Sequence, residues 1–460
     1  MEERWRRSQQ QQEDERGYYL HHELPADIGQ ERTAGNRRKQ PTANHEETGL
    51  TEQEEDTVEP HHGITKTEVA DVGVNDENHG KSPHSVNIWY PLCFHIFCKS
   101  TKKAGTLGHL VRKYYFCNMK ERINWIDWAK ALAAMAVVFC HIPQSQEWFY
   151  YRYLQAVIIV IFFFISGYLK KDRGSDKENW RKYCYGLILP YIIYNAIIYP
   201  YWLLKYYLAN DTMPDFFAAM RPIIGTILLQ HENAFAEPLD GPLWYLPAIL
   251  IMHVTIDLCR KTKHQHLIMI TLCLVSFFLY ATNKYWYFVP NLTPMGLMRN
   301  LPYYYIGYVM GQYHLFRDTN TKRDAAGCLI CLTSSILLFA WHLDAFNDGQ
   351  HLLHIALFYP ANIGFLFGVL YGCKLMNSIK SNMTTHLSIG TLVVVGLHIV
   401  LITIANFIFE HLFHINGTIC YQWYEAISLA ILITALLYPV ILLGKHHFPA
   451  LLGRFSHQKI

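Results

Sequence analysis

The chain has 460 residues, 51% of them hydrophobic and 17% charged, with a formal net charge of +3 at pH 7. So small a charge, with no stripe of Lys and Arg on any soluble helix, excludes a nucleic-acid binder. The 11 cysteines lie scattered, mostly inside apolar runs, which excludes a disulfide scaffold.

Those averages combine two unlike halves. Residues 1–118 are polar, with Gln9 to Gln12 in a row and an acidic cluster at Glu52, Glu54, Glu55 and Asp56. They hold too few regularly spaced apolar positions for a core and are expected to be a disordered, dispensable extension. The apolar stretch 88–97 is too short to span a bilayer, and no secretory signal opens the chain. A membrane domain is expected over 119–448, starting near Met119 with basic residues directly before the first apolar helix, and a short cytoplasmic tail over 449–460. Within that domain, apolar runs at 124–142, 153–169, 184–208, 243–259, 266–282, 299–313, 325–343, 352–376, 388–411 and 423–444 predict an all-α, polytopic membrane bundle of about ten helices. Pro190, Pro200 and Pro360 are expected to kink their helices rather than end them. The polar character of 124–142 and 299–313 places those two in the bundle interior.

Loop charge supports the count. With Lys120 and Arg122 set inside, the later inside loops carry Lys170, Lys171, Arg173, Lys177, Arg181 and Lys182; then Arg260, Lys261 and Lys263; then Arg317, Lys322 and Arg323; then Lys374 and Lys380; then Lys445 and Arg454. The outside loops hold only Arg152, Arg221, Lys284 and Arg299. Basic residues collect on the cytoplasmic side, so a multi-pass protein of the cell (inner or plasma) membrane with both termini cytoplasmic is expected. Cys328 and Cys331 have metal-like spacing, but they sit in a lipid-length apolar stretch with no second Cys/His pair, so no metal site is expected. Asn210, Asn291 and Asn416 open N-x-Thr sequons in loops expected outside; so short a pattern arises by chance.

The first helix carries the most chemistry: Asp127, Lys130 and His141 in NWIDWAKALAAMAVVFCHIP. At 100° per residue, the eleven steps from Lys130 to His141 return to within about 20° of the start and advance about 16 Å. Asp127 lies about 60° from Lys130 by the same reckoning, so all three share one face. Ionisable groups at membrane depth normally face an interior cavity. The competing structural reading is a lysine snorkelling to the inner interface and a histidine meeting water at the outer end.

An acidic residue, then a basic residue and a histidine with ten residues between them, opening a polytopic protein, resembles the acyltransferase-3 family of membrane O-acyltransferases that modify glycans such as exopolysaccharides. The family's usual Arg is Lys130 here, which keeps the charge and loses the fork geometry. Further segments resemble the family in order: IFFFISGYL (161–169), WRKYCYGLILPYIIYN (180–195), GPLWYLPAIL (241–250), LPYYYIGYVMGQ (301–312) and LSIGTLVVVGLHIVLI (387–402). The resemblance implies an acyl group, with acetyl expected, moved from a cytosolic acyl-CoA to a hydroxyl of a glycan or lipid-linked sugar, with no permanently bound cofactor. It implies His141 as the catalytic base, with Asp127 and Lys130 in the same catalytic set, Lys130 polarising the donor or pairing with Asp127 at i, i+3. Arg181 and Lys182 are expected to bind the donor's phosphates. Trp244, Tyr245 and His398 are expected on the acceptor side, His398 deep enough to need a polar partner. A secondary transporter or flippase is the alternative, since three prolines interrupt two helices, though no inverted repeat is visible. A receptor or structural membrane protein is disfavoured by the aligned ionisable residues.

Overall fold

The computed structural model describes residues 122–171, 175–230, 235–286, 292–413 and 419–454. The expectations for the 1–118 extension, a start near Met119, the last tail residues and the sequons at Asn291 and Asn416 fall outside these.

The described residues are helical, with no strand. The chain runs through α1 (Asn124–His141), α2 (Phe149–Val157), α3 (Val160–Leu169) and α4 (Asp176–Tyr183). A π-helical turn, Cys184–Ile188, leads into α5 (Leu189–Asn210), followed by α6 (Phe216–Ile227) and a short 3₁₀ turn, Gly241–Trp244. Then come α7 (Tyr245–Cys259), α8 (Gln265–Trp286), α9 (Leu292–Gln312), α10 (Thr321–Asn347), α11 (His351–Leu375), α12 (Asn382–Ile389), α13 (Thr391–Phe413), α14 (Trp423–His446) and a closing 3₁₀ turn, Pro449–Leu452.

Eight helical spans among the described residues are long and apolar enough to cross a bilayer. The two expected helices that fall short of that are α1 and α9, the pair whose polarity placed them inside. Burial accounts for it: Ala129, Ala133 and Val138 of α1 and Tyr303, Tyr304 and Asn300 of α9 are fully covered, and α1 touches α2, α3, α11, α12, α13 and α14. By contrast α8 and α10 turn Leu274 (65% exposed), Phe278 (63%), Leu329 (70%) and Leu337 (65%) outward. Apolar faces of that size are at home against lipid chains and costly in water.

Several boundaries differ from the sequence reading. The run 184–208 is the end of a longer helical stretch, Asp176–Asn210. Pro190 stands at the start of α5, directly after the π turn, where its missing N–H breaks no α-helical bond. The loop that carries Arg221 contains α6, an amphipathic helix capped by Asp215, whose Oδ1 accepts from Ala218 N at 2.7 Å. The run 388–411 is broken at Gly390, where a Cβ would lie 2.4 Å from Ile441 Cγ1 of α14, so Ser388 lies in the last turn of one helix and His398 belongs to the next.

α3 and α9 pack backbone against backbone. A Cβ on Gly307 would lie 2.1 Å from Phe164 O, and one on Gly311 would lie 2.2 Å from Tyr168 O. This small-xxx-small face lets the two backbones touch, the usual means of holding helices together where lipid removes the hydrophobic drive between them.

Candidate active site

α1 ends at His141, and a helix end leaves its last carbonyls without intrahelical partners. Here side chains supply them: Gln144 Nε2 donates to Phe139 O (3.1 Å), Gln155 Nε2 to Cys140 O (3.2 Å), and the Tyr151 hydroxyl lies 3.2 Å from both Cys140 O and Ile142 O. The end of the helix is thereby fixed, and His141 with it. His141 Nδ1 donates to Val137 O at 2.8 Å. A carbonyl oxygen only accepts, so the neutral ring carries its proton on Nδ1 and its lone pair on Nε2.

His398 of α13 repeats the arrangement. It is fully buried, and its Nδ1 donates to Val394 O (2.9 Å) and Val395 O (3.0 Å). The His141 and His398 rings meet edge to face, 4.8 Å between centroids at 79°. His398 Nε2 is buried without a protein hydrogen-bond partner. An orphaned buried acceptor costs about 1–3 kcal/mol, and a hydroxyl-bearing molecule beside the pair would supply the missing donor. The polar groups that His398 meets are the Val394 and Val395 carbonyls of its own helix, and its ring lies against that of His141.

The other end of α1 is built from charge. Arg122 grips Asp127 through Nε–Oδ2 and Nη2–Oδ1, the latter at 2.9 Å, and Ser388 Oγ donates to Asp127 Oδ1 at 2.6 Å. Asp127 is buried, and Arg122 also donates to Thr385 O (3.1 Å), so the carboxylate ties the start of α1 to α12. Asn124 Nδ2 donates to Asn377 O (2.7 Å) and Ile379 O (2.8 Å), and Trp128 Nε1 to Ile379 O (3.0 Å), which fixes the α11–α12 connection to the same end. The expected i, i+3 pair of Asp127 with Lys130 is not formed. Both oxygens of Asp127 are already engaged, and the Arg122 fork matches a carboxylate better than an ammonium does. Lys130 is half-buried, and the charges acting on it are Asp127, Arg122 and Arg454.

Arg181 and Lys182 lie exposed on α4. Their neighbourhood has its own ion pairs: Lys261 Nζ to Asp176 Oδ2 (2.8 Å), and buried Lys170 to Asp257 (2.8 Å) with Tyr183 bonded to both. Trp244 and Tyr245 pack against α3. Trp244 stacks on Phe163 (5.8 Å, 25°) with Gly296 against its ring, and Tyr245 stands between Phe162 (5.8 Å) and Phe163 (5.4 Å) with its hydroxyl hydrogen-bonded to Ser166. Tyr245 therefore links the serine of the 161–169 segment to the foot of α7. Sequence reading passed over Arg122, taken only as an inside-loop charge, and Ser388, which lies 261 residues from its partner. The Ser-containing start of the 387–402 segment was the available signal for the second.

A family model described as an acyltransferase domain matches residues 123–445. No curated protein and no solved structure matches the chain. The match runs from the first residues of α1 almost to the end of α14 and takes in Asp127, Lys130, His141, Ser388 and His398; the chain belongs to the acyltransferase-3 family and is a multi-pass membrane acyltransferase.

Proposed function

We propose that the protein is an O-acyltransferase that moves an acyl group, acetyl as the expected one, from cytosolic acyl-CoA to a hydroxyl of a glycan or lipid-linked sugar, with His141 as general base. The observation that carries the proposal is the His141–His398 pair, whose Nδ1 atoms are both tied to backbone carbonyls so that the Nε2 atoms are left basic. A thioester is already activated. The acceptor hydroxyl gives its proton to His141 Nε2 as its oxygen bonds to the thioester carbon, the C–S bond breaks, and the imidazolium returns the proton to the departing thiolate. His398 Nε2 is a second acceptor for a sugar hydroxyl and orients the nucleophile. Trp244 and Tyr245, wedged between α3 and α9, position the acceptor side of the bundle indirectly. Lys130 stands about 16 Å from His141 along the helix axis, too far to touch the same atom, and belongs to the donor. The alternation of loop charge supports an orientation in which Lys130 is near the cytoplasm and His141 toward the outer face.

The test is to incubate membranes with labelled acetyl-CoA and follow the label into sugar-containing acceptors. The His141→Ala variant should insert at normal abundance and lose about a hundredfold or more in turnover. Wild-type activity in that variant would remove the mechanism, and a sugar moved across the membrane without any label attached would point to the transporter reading.

A further inference from the structure

α6 lies in a stretch that loop charge sets outside the bilayer, yet its surface is the reverse of a loop's. From Phe216 to Asp240, every described residue that is exposed is apolar: Phe216, Phe217, Ile227, Leu228, Leu229 and Phe235. A loop in water turns its polar side chains outward. Here Thr226 and Gln230 turn inward, onto α5.

Hydrogen bonds to α5 fix the path. Following α5 back from its Asn210 end, the Tyr199 hydroxyl donates to Ala219 O (2.9 Å) and the Tyr191 hydroxyl to Thr226 O (2.7 Å). Thr226 Oγ1 donates to Asn195 Oδ1 (3.0 Å), and Gln230 Nε2 to the Tyr191 hydroxyl oxygen (3.2 Å). α6 therefore runs antiparallel to a helix of membrane-spanning length, away from the Asn210 end. Asn195 stands about 15 Å along α5 from Lys205, the last charge on that helix, and about 15 Å is half the hydrocarbon thickness. Beyond α6, Leu229 and Gln230 take left-handed φ values of 59° and 64°, and Gln230 N donates to Gly225 O (2.8 Å). By Glu237 the chain is back beside Trp202, whose Nε1 donates to Glu237 Oε1 (2.9 Å). The two limbs touch: Glu237 N donates to Arg221 O (3.2 Å), and a Cβ on Gly225 would have no room beside Glu237 O.

Bilayer depth makes two demands. Charges there must pair, and Arg221 and Glu237, the only charged residues described between Phe216 and Leu239, face each other at 3.7 Å. Backbone polar groups must be satisfied, so a helix can meet lipid and irregular chain needs protein around it. α6 is the limb with the exposed face, whereas Gln230 and Ala236 of the irregular part are fully buried.

We propose that α6 is a re-entrant helix, entering and leaving the bilayer on one side, and that its Phe216, Phe217 and Ile227 face is an interaction surface for lipid acyl chains. The returning limb runs into the Gly241–Trp244 turn, which packs on α9 and α13, so lipid held against α6 braces that side of the bundle.

Full-length protein in phosphatidylcholine nanodiscs is treated with a sulfonated, membrane-impermeant maleimide, each site being read by peptide mass spectrometry. Thr212→Cys, at the polar entry to the segment, should label freely. Ile227→Cys should label about tenfold more slowly or less, because hydrocarbon excludes a charged reagent, although the protein itself leaves Ile227 70% exposed. In wild type, phosphatidylcholine carrying a diazirine in its acyl chain should add to the peptide covering 216–230 on illumination. Equal rates at the two cysteine sites would put α6 in water and overturn the proposal. Protection of Ile227→Cys with no lipid adduct in wild type would mean that a partner protein or a second copy covers the face, and would overturn it as well.

Discussion

Asp127 separates two views of α1. The sequence reading sets it among the catalytic residues; its contacts make it an anchor. The perturbation is Asp127→Asn, which keeps the shape, removes the charge and turns one oxygen into a donor. If the amide nitrogen takes the Oδ2 position it faces Arg122 Nε, and if it takes Oδ1 it faces Arg122 Nη2 and Ser388 Oγ. Either way at least one charge-assisted bond becomes a donor–donor contact. Such bonds are worth about 1.5–3 kcal/mol when buried. The Asp127 side chain is 7% exposed, but that of Arg122 is 40% exposed, so solvent screening puts the Arg122 share at the low end. The expected loss is about 2 kcal/mol. Ser388→Ala alone should cost about 1–2 kcal/mol, and the double variant should fall short of the sum by at least about 0.5 kcal/mol, because the two residues share one bond. Thermal unfolding of the purified protein in detergent reads all three. His141 lies about 21 Å farther along the helix, so turnover at saturating donor should stay within about threefold of wild type, as for well-separated sites. Asp127→Asn that abolishes turnover with no change in thermal stability would refute the anchor and restore Asp127 to the chemistry.

Gly311→Val should lower the unfolding temperature and the yield of monodisperse protein, by about 2 kcal/mol or more, because its Cβ would sit 2.2 Å from a backbone oxygen that cannot move aside; an unchanged melting temperature would mean that α3 and α9 do not touch there. The α12–α14 contact should weaken in acid. Burial, then the charges of Lys445 and Arg122, hold His386 below its ordinary value of 6.5, so the folded state binds fewer protons than the unfolded one. Its contribution is present above about pH 6.5 and is lost as pH falls through the lowered folded value. His386→Asn should flatten that part of the stability profile, measured between about pH 5.5 and 7.5, and a profile identical to wild type would assign the effect elsewhere.

The bundle was legible because lipid imposes a length and a composition on every helix that meets it, and because α1 and α9 broke that pattern in the direction of polarity. What escaped had no such signature. α6 has only 12 residues, below spanning length, with Phe216 (73% exposed) and Phe217 (80%) turned outward; it reads as loop because run length, not periodicity, was the criterion. The break at Gly390 is invisible to hydropathy, since both sides are apolar, and it follows from how closely α14 approaches. Helical reckoning placed Lys130 and His141 on one face and offered Asp127 at i, i+3 as one of two roles for Lys130; that pair does not form, because the i, i+3 rule sees only one helix. Asp127 is claimed from outside it, by a residue before α1 and another at the end of α12.

The two ends of α1 are held by different forces, and the difference suits what each is proposed to do. At His141 every fixing contact is a hydrogen bond between neutral groups: Gln144, Tyr151 and Gln155 on carbonyls, and two imidazoles on their own helices. A base needs this, because a fixed charge beside it would bias its proton before substrate arrives. At Asp127 the fixing contacts are ionic, with positive charge left over. If the surplus belonged to the chemistry rather than to the donor, it would have to act across about 16 Å of helix, beyond the Debye length where water enters and far beyond hydrogen-bond reach. Charge placed there can fix the start of α1 through Asp127 and still leave the histidine neutral.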